Sequence, residues 1–174
     1  MAGVTGGLGS AAFYGAGKAV ERLKNSVRGV DVDKPLALQF DSGDEKQQAV
    51  IDAAAKIAGP NTKKLFKVVG HGNPYSIQKG NEFLSAQQVA EEIRKSPEFI
   101  GGKQKVILYA CNTGKEPKGF ARQLANILGV EVIAPNTNLH PKKNGRGFYA
   151  GDIHLENGEY IGERGSLIRF RPKI

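Results

Sequence analysis

The chain has 174 residues, and its sequence predicts an α/β domain built on a mostly parallel sheet of about four strands. Two observations predict this class. Apolar, strand-like runs alternate with helix-like segments from residue 35 to residue 135, and those runs are apolar almost throughout. Such runs indicate strands that are buried on both faces. The composition, 40% hydrophobic and 24% charged, is that of a globular chain.

The first strand, helix and second strand are predicted between residues 35 and 72. "PLALQF" (35–40) is an apolar run that ends in an Asp-Ser-Gly turn, which is typical of a strand. Residues 44–59 predict a helix, because acidic residues occupy its first turn and Gly59-Pro60 ends it. "KLFKVVGHG" (64–72) predicts a second strand that is broken at Gly70.

The second helix and third strand follow. Residues 84–95 predict a helix in which Ser85 and Gln88 have the spacing of a capping box. "KVILYA" (105–110) is a short apolar run and predicts a strand.

The third helix and fourth strand complete the alternation. Residues 116–129 predict a helix with Pro117 at its first position and Gly129 at its C-terminal cap. "VEVIAP" (130–135) predicts the strand that follows.

Beyond Pro135 the pattern changes to loops and short strands. The runs "GFYAGDIHL", "GEYIG" and "SLIRF" are separated by turn signals such as Asn157-Gly158, and they predict a small, basic, antiparallel appendage over residues 136–174. The Gly/Ala-rich residues 1–30 predict a flexible arm or linker. We therefore expect one folded domain over residues 31–174.

Cysteine content and charge narrow the classes of protein. A single cysteine excludes an internal disulfide. No apolar run is long enough to span a membrane, and the N-terminus lacks a secretory signal pattern, so we expect a cytosolic protein or a piece of a larger one. The net charge of +8 is compatible with nucleic acid, an anionic membrane or an acidic partner. Nucleic acid is not expected as the main partner, because few aromatics accompany the basic residues and tryptophan is absent.

Two residues that could take part in catalysis follow the ends of predicted strands. His71 follows the second predicted strand and Cys111 follows the third, so both leave the edge of the sheet where ligands bind in open α/β folds. If these strands are neighbours, the two Cα atoms lie roughly 5–10 Å apart. A histidine within reach can take the proton of a thiol and make it a nucleophile. The glycines that flank His71 can expose a backbone N–H, the kind of donor that stabilises an oxyanion.

Simpler interpretations of the same residues stay open. Cys111 could be a core residue, and His71 could cap a turn. The polar residues after Cys111 predict that its sulfur is held at a loop and outside the core. His140 and His154 are expected at the surface. One cysteine and three scattered histidines give no zinc-type spacing, so no metal is expected.

The two strand-end segments resemble a known signature. "KVVGHGNP" followed by "VILYACNTG" resembles the paired His-Gly and Ala-Cys motifs of the caspase-like superfamily of cysteine peptidases, especially its CHAT branch. The protease domains of large self-processing bacterial toxins share that fold and dyad. "GFARQLANILGVEVIAPN" (119–136) is similar to C-terminal domains of RHS-type bacterial polymorphic toxins, and the arm "GGLGSAAFYGAGKAV" resembles the linker before such domains.

This resemblance implies a role for each matching residue. His71 matches the general base or acid, Cys111 the nucleophile, and the backbone N–H groups of Gly72 and Cys111 the oxyanion hole. The substrate-binding candidates are Asp41, Asn73 and Asn112, with Asp44 as an alternative to Asp41 for a basic side chain. A polyphosphate activator would bind at Lys142, Lys143, Arg146 and Arg169. No cofactor is expected.

The expected function is a caspase-like cysteine endopeptidase that forms the tip of a bacterial toxin. It would be secreted or delivered into a target cell, act in the cytosol, and cleave a target-cell protein or its own parent chain. A cognate immunity protein and an RHS-type parent chain are the expected partners. Two alternatives stay open: a non-proteolytic binding module with the same fold, and a basic toxin that acts on nucleic acid.

Overall fold

The computed structural model describes residues 37–142 and 144–173. A five-stranded sheet forms its centre. In spatial order its strands are β1 (Leu38–Gln39), β2 (Leu65–Val69), β5 (Lys105–Tyr109), β6 (Val132–Pro135) and β10 (Leu167–Phe170). The first four strands run parallel, and β10 pairs antiparallel with β6. The predicted α/β class with a mostly parallel sheet is confirmed.

Three helices pack around this sheet in the described part of the chain. They are α1 (Glu45–Ala58), α2 (Ala86–Lys95) and α3 (Phe120–Leu128). The Asp44 side chain caps α1, and the predicted capping box of Ser85 and Gln88 is present at α2. Gly129 ends α3 in the left-handed conformation at φ 69°, which a side chain would disfavour.

The two faces of the central sheet are covered by different helices. One face packs on α2 and α3 through a large apolar cluster that includes Val68, Leu108 and Leu124. The other face packs on α1 through a smaller cluster that includes Val69 and Ile51. Alternate residues of each strand therefore point into different layers, as expected for strands between two helical layers.

The remaining strands form two small antiparallel sheets. One is the hairpin of β3 (Ile77–Lys79) and β4 (Glu82–Leu84). The other has the order β7 (Leu139–Pro141), β8 (Phe148–Glu156) and β9 (Glu159–Arg164). We call this three-stranded sheet the cover. The predicted Asn157-Gly158 turn joins β8 to β9, with φ angles of 49° and 82° that suit these residue types.

The structure departs from two sequence expectations, and a third concerns residues outside the described ranges. The "SLIRF" segment was expected in the appendage, but it forms β10 and closes the edge of the central sheet beside β6. Helix α3 begins at Phe120 and not at residue 116, because the Gly119 N–H closes a turn onto the Glu116 carbonyl (3.0 Å) and leaves Pro117 outside the helix. The predicted arm, residues 1–30, lies outside the described residues.

No helix within residues 37–142 and 144–173 has both the length and the apolar character needed to cross a bilayer.

Candidate active site

The strands that precede His71 and Cys111 are neighbours in the sheet. β2 and β5 run parallel with Val69 opposite Tyr109, and the Gly70 N–H continues the ladder to the Tyr109 carbonyl at 3.3 Å. β2 ends two residues before His71 and β5 ends two residues before Cys111, so both residues follow the same end of adjacent strands. The condition on which the expected closeness of His71 and Cys111 depended, that these strands are neighbours, is met.

The loops that carry the two residues are packed directly together at Gly72. A Cβ atom there would lie 2.8 Å from the Cys111 carbonyl oxygen and 2.7 Å from Thr113 Cγ2, so only glycine fits without a shift of the backbone. Thr113 is itself fixed, since its hydroxyl donates to the Ala110 carbonyl at 2.8 Å. The two sequence motifs thus form one packed unit.

Two further glycines of these loops, Gly114 and Gly119, also lie where a side chain would not fit. A Cβ on Gly114 would lie 2.6 Å from the Ala134 carbonyl oxygen on β6. A Cβ on Gly119 would lie 2.6 Å from the Pro74 carbonyl oxygen, which also accepts the Phe120 N–H at the start of α3. The loop after His71 therefore seats the helix that follows Cys111.

The Cys111 side chain is buried, with 8% exposure. It packs with Leu139 of β7, and the partly buried residues Tyr109, Phe148 and Ala150 surround the pair. The expectation that the Asn-Thr-Gly turn holds the sulfur outside the core is wrong. The reason is long-range: the cover folds back over the end of β5 and closes on the thiol.

Burial controls the acidity of the thiol. Loss of solvent raises the Cys111 pKa to about 11, and the negative charge of Asp152 acts in the same direction. The Leu139 N–H, which donates to Sγ at 3.3 Å, opposes this rise because it stabilises the thiolate, as does the amide of Cys111 itself. At neutral pH the sulfur is therefore a thiol in this conformation.

His71 is also buried, at 7% exposure, but its surroundings differ. Burial lowers its pKa to about 4, and the Gln47 backbone and the Asp44 carboxylate oppose this because both favour the protonated ring. The imidazole is therefore neutral at pH 7. A neutral imidazole is the form that can accept a proton from a thiol.

Asp41 and Asp44 lie where β1 meets α1. Asp41 is exposed and accepts hydrogen bonds from Gln39 and Gln48, whereas Asp44 caps α1 by accepting the Gln47 N–H at 3.0 Å. An open depression of about 280 Å³ borders this region. Its lining includes Ser42, Gly43, Asp44, Glu45, Gln48, Ala49 and Asp52. Because the Asp44 charge acts on the His71 ring, this acidic region lies near His71.

The two asparagine candidates both make structural hydrogen bonds. Asn73 shapes its own turn, since its side chain accepts the N–H groups of Tyr75 and Ser76 at 2.8 and 2.9 Å. Asn112 has a positive φ of 60°, and its side chain donates to Asn138 Oδ1 at 2.9 Å. In this conformation both side chains organise the loops of the site.

The predicted anion-binding residues that the structure describes lie in two different parts of the fold. Lys142 and Arg146 are exposed in the turn between β7 and β8, and Arg169 is exposed on β10. Lys143 lies outside the described residues.

Two of the three histidines were expected at the surface, and one of these expectations is wrong. His154 is exposed and lies 3.6 Å from Glu156. His140 is buried in the cover, where its ring stacks on Tyr149 and its Nε2 lies 3.0 Å from the Gly151 carbonyl oxygen. Burial lowers the His140 pKa. Within the described ranges, no group of three or more acidic, histidine or cysteine side chains is arranged to hold a metal.

Sequence reasoning missed Asn138 and Asp152. Asn138 is buried beside Cys111 and donates to Asp152 Oδ1 at 3.1 Å. Neither residue lies in a recognisable motif. Only the pairing of β7 with β8 brings them to the sulfur.

Comparison with known proteins gives one match. A family model described as a domain of unknown function (DUF8616) matches residues 37–149, a range that contains both strand-end motifs and ends within β8. Neither the curated proteins nor the solved structures provide a match.

Proposed function

The chain belongs to the DUF8616 family, which is described only as a domain of unknown function, and we propose that it is a cysteine endopeptidase with His71 and Cys111 as its catalytic pair. The observation that supports this most is the register of β2 and β5. It brings the only cysteine and a buried histidine to the same end of two adjacent parallel strands.

The chemistry follows from the two protonation states. Neutral His71 accepts the Cys111 proton as the sulfur attacks the carbonyl carbon of a peptide bond. The carbon–nitrogen bond then breaks, and the imidazolium returns the proton to the departing amine. A thioester remains on Cys111. His71 next takes a proton from water, whose oxygen attacks the thioester, and the released thiolate is protonated again.

The oxyanion of the tetrahedral intermediate needs backbone donors. The proposal assigns this role to the N–H groups of Gly72 and Cys111. Their loops are in contact, because a Cβ on Gly72 would meet the Cys111 carbonyl oxygen at 2.8 Å. Preorganised donors of this kind contribute about 3–4 kcal/mol to transition-state stabilisation in acyl transfer.

The buried thiol means that the described conformation is a resting state. A peptide can reach Cys111 only if the cover residues Leu139 and Phe148 move, because they pack against the sulfur. Solvent or substrate that enters would lower the Cys111 pKa toward its ordinary value, since burial is the main cause of the rise. Movement of the cover and activation of the nucleophile are therefore linked.

The proposal extends to a caspase-like fold, a substrate class and a setting. The similarity of residues 119–136 to RHS-type toxin tips favours a target-cell protein or the parent chain as substrate, after delivery as part of a larger toxin, with an immunity protein as partner. The open acidic depression beside Asp44 favours a basic side chain in that substrate.

One observation favours a second candidate, a binding module that retains the motifs for packing. Gly72, Thr113 and Gly114 each have a steric or hydrogen-bonding role that needs no catalysis. In such a module Cys111 would be an inert core residue.

Expression in a susceptible cell separates the two candidates. We expect wild-type chain to be toxic and to generate new protein N-termini, and we expect Cys111→Ala and His71→Ala to abolish both effects. His154→Ala is the matched control, because His154 is exposed and lies at the surface of the cover beside Glu156. It should behave as wild type. Full activity of a folded Cys111→Ala variant would exclude the peptidase.

A further inference from the structure

We propose that Asn138 is a positioning residue for the sulfur: it holds the Leu139 N–H against Cys111 Sγ, and Asp152 sets the orientation of the Asn138 amide. The catalytic meaning of this arrangement rests on the proposed peptidase function. The arrangement itself belongs to the ground state of the protein and can be tested without a substrate.

Three consecutive residues, Thr137, Asn138 and Leu139, accept or donate hydrogen bonds to Cys111 and Asn112. The Asn112 N–H donates to the Thr137 carbonyl at 2.9 Å, and the Asn112 side chain donates to Asn138 Oδ1 at 2.9 Å. The Leu139 N–H then donates to Cys111 Sγ at 3.3 Å. The segment before β7 is thus tied to the nucleophile loop at its backbone, at a side chain and at the sulfur.

Asp152 determines which way the Asn138 side-chain amide is oriented. A carboxylate can only accept hydrogen bonds, so Asp152 must receive the Asn138 NH₂ group, which it does at 3.1 Å. The Asn138 side-chain oxygen therefore faces Asn112, so Asn112 is the donor and Asn138 the acceptor in the bond between them. The Gly151 N–H also donates to the Asn138 carbonyl at 2.9 Å, so β8 holds both the backbone and the side chain of this residue.

The effect on the sulfur follows from covalent geometry. The N–H that donates to Sγ belongs to the peptide bond between Asn138 and Leu139, so anchoring Asn138 on two sides also anchors this donor. In the apolar pocket formed by Leu139, Tyr109 and Phe148, a fixed N–H is a strong stabiliser of negative charge on sulfur. Truncation of Asn138 should free the peptide to rotate away.

Among the other titratable groups near the thiol, Asp152 acts on it through its charge. On the elements packed around it they are Tyr109 on β5, His71 after β2, His140 on β7 and Asp152 on β8. Asp152 has two opposing effects. Its charge disfavours the thiolate, and its hydrogen bond to Asn138 supports the donor that favours it.

The test is a pH titration of the only cysteine, labelled with ¹³C at Cβ and followed by NMR in the intact chain, with the fold checked at each pH. Asn138→Ala should raise the titration midpoint by about one pH unit, the effect of losing one hydrogen bond to a charged group. Asp152→Asn removes the charge but keeps an acceptor for Asn138, so its midpoint should fall below that of wild type. Asp152→Ala removes both, and its midpoint should lie above that of Asp152→Asn.

An unchanged midpoint in folded Asn138→Ala, or equal midpoints in Asp152→Ala and Asp152→Asn, would overturn the proposal. If Asn138→Ala does not fold, Asn112→Ala tests the other end of the same bond and should also raise the midpoint. A purely structural role would lower the unfolding temperature without this pattern of shifts. Failure of the peptidase proposal would appear in Cys111→Ala cell assays and would leave these midpoints as expected.

Discussion

The two halves of the candidate site are built in contrasting ways. His71 lies against the first turn of α1, beside an open acidic depression. Cys111 lies beneath the cover, in an apolar cluster with Leu139. Both groups are buried, yet burial holds one as a neutral base and the other as a neutral acid. At neutral pH the imidazole is already in the form that accepts a proton, whereas the thiol stays protonated as long as it is buried.

The largest expected effect is a change of the free energy of unfolding with pH. We expect His71 to contribute on the acid side and Cys111 on the alkaline side. His71 has a pKa of about 4 in the fold and 6.5 when unfolded, so the unfolded chain binds the proton first as pH falls. Stability should decrease from pH 6.5 toward pH 4 by up to about 3 kcal/mol. His71→Asn should remove this part of the decrease in denaturant titrations, and His154→Asn should not.

Cys111 should act on the alkaline side. Its pKa is about 11 in the fold against 9.0 when unfolded, so the unfolded chain loses the proton first as pH rises. Stability from this group is complete below pH 9 and should be lost between pH 9 and pH 11. An unchanged alkaline limb in Cys111→Ala would contradict the burial of the thiol.

The next effect concerns the junction of the two halves at Gly72. Gly72→Ala forces a Cβ to within 2.9 Å or less of Ala110, Cys111 and Thr113, so we expect a loss of about 2 kcal/mol in the free energy of unfolding. Gly43→Ala is the matched control, because the three atoms nearest to its Cβ would all belong to the flexible end of the Asn81 side chain. Equal stability of both variants in urea titrations would mean that the loops are not packed as described.

The smallest effect on stability comes from the cover. The Phe148 ring packs on Tyr109 with centroids 5.0 Å apart and is only partly buried, so Phe148→Ala should cost about 1 kcal/mol. It should also speed alkylation of Cys111, because the sulfur becomes more accessible. Ile161→Ala on β9 is the control, since that side chain is exposed. A rate equal to wild type would show that Phe148 does not limit access.

Local signals in the sequence predict much of this architecture. Asp44, the Ser85–Gln88 pair and Gly129 mark helix ends because capping depends on residues a few positions apart. Apolar runs likewise predict β2, β5 and β6. The adjacency of the strands that precede His71 and Cys111 is also predictable, since consecutive βα units usually place their strands side by side.

What the sequence does not reveal depends on long-range pairing. The burial of Cys111, the burial of His140 and the contact of Asn138 with Asp152 all arise because β7 and β8 fold over the end of β5. The position of β10 beside β6 has the same origin, since a strand in the appendage and an edge strand of the central sheet share one local pattern. The start of α3 depends on the Pro74 carbonyl, which accepts the Phe120 N–H. Pro74 lies 46 residues before Phe120, so a local sequence pattern around the helix does not reveal this contact.

The most direct test of the central claim is the rate at which Cys111 reacts with a peptide-based electrophile near pH 7, measured by intact mass in wild type and His71→Ala. If His71 is the base for this thiol, its removal should slow the reaction by about 100-fold or more while the fold is retained. His140→Ala tests whether the other buried histidine substitutes for it, and we expect a far smaller change. Equal rates in wild type and folded His71→Ala would contradict the catalytic pair.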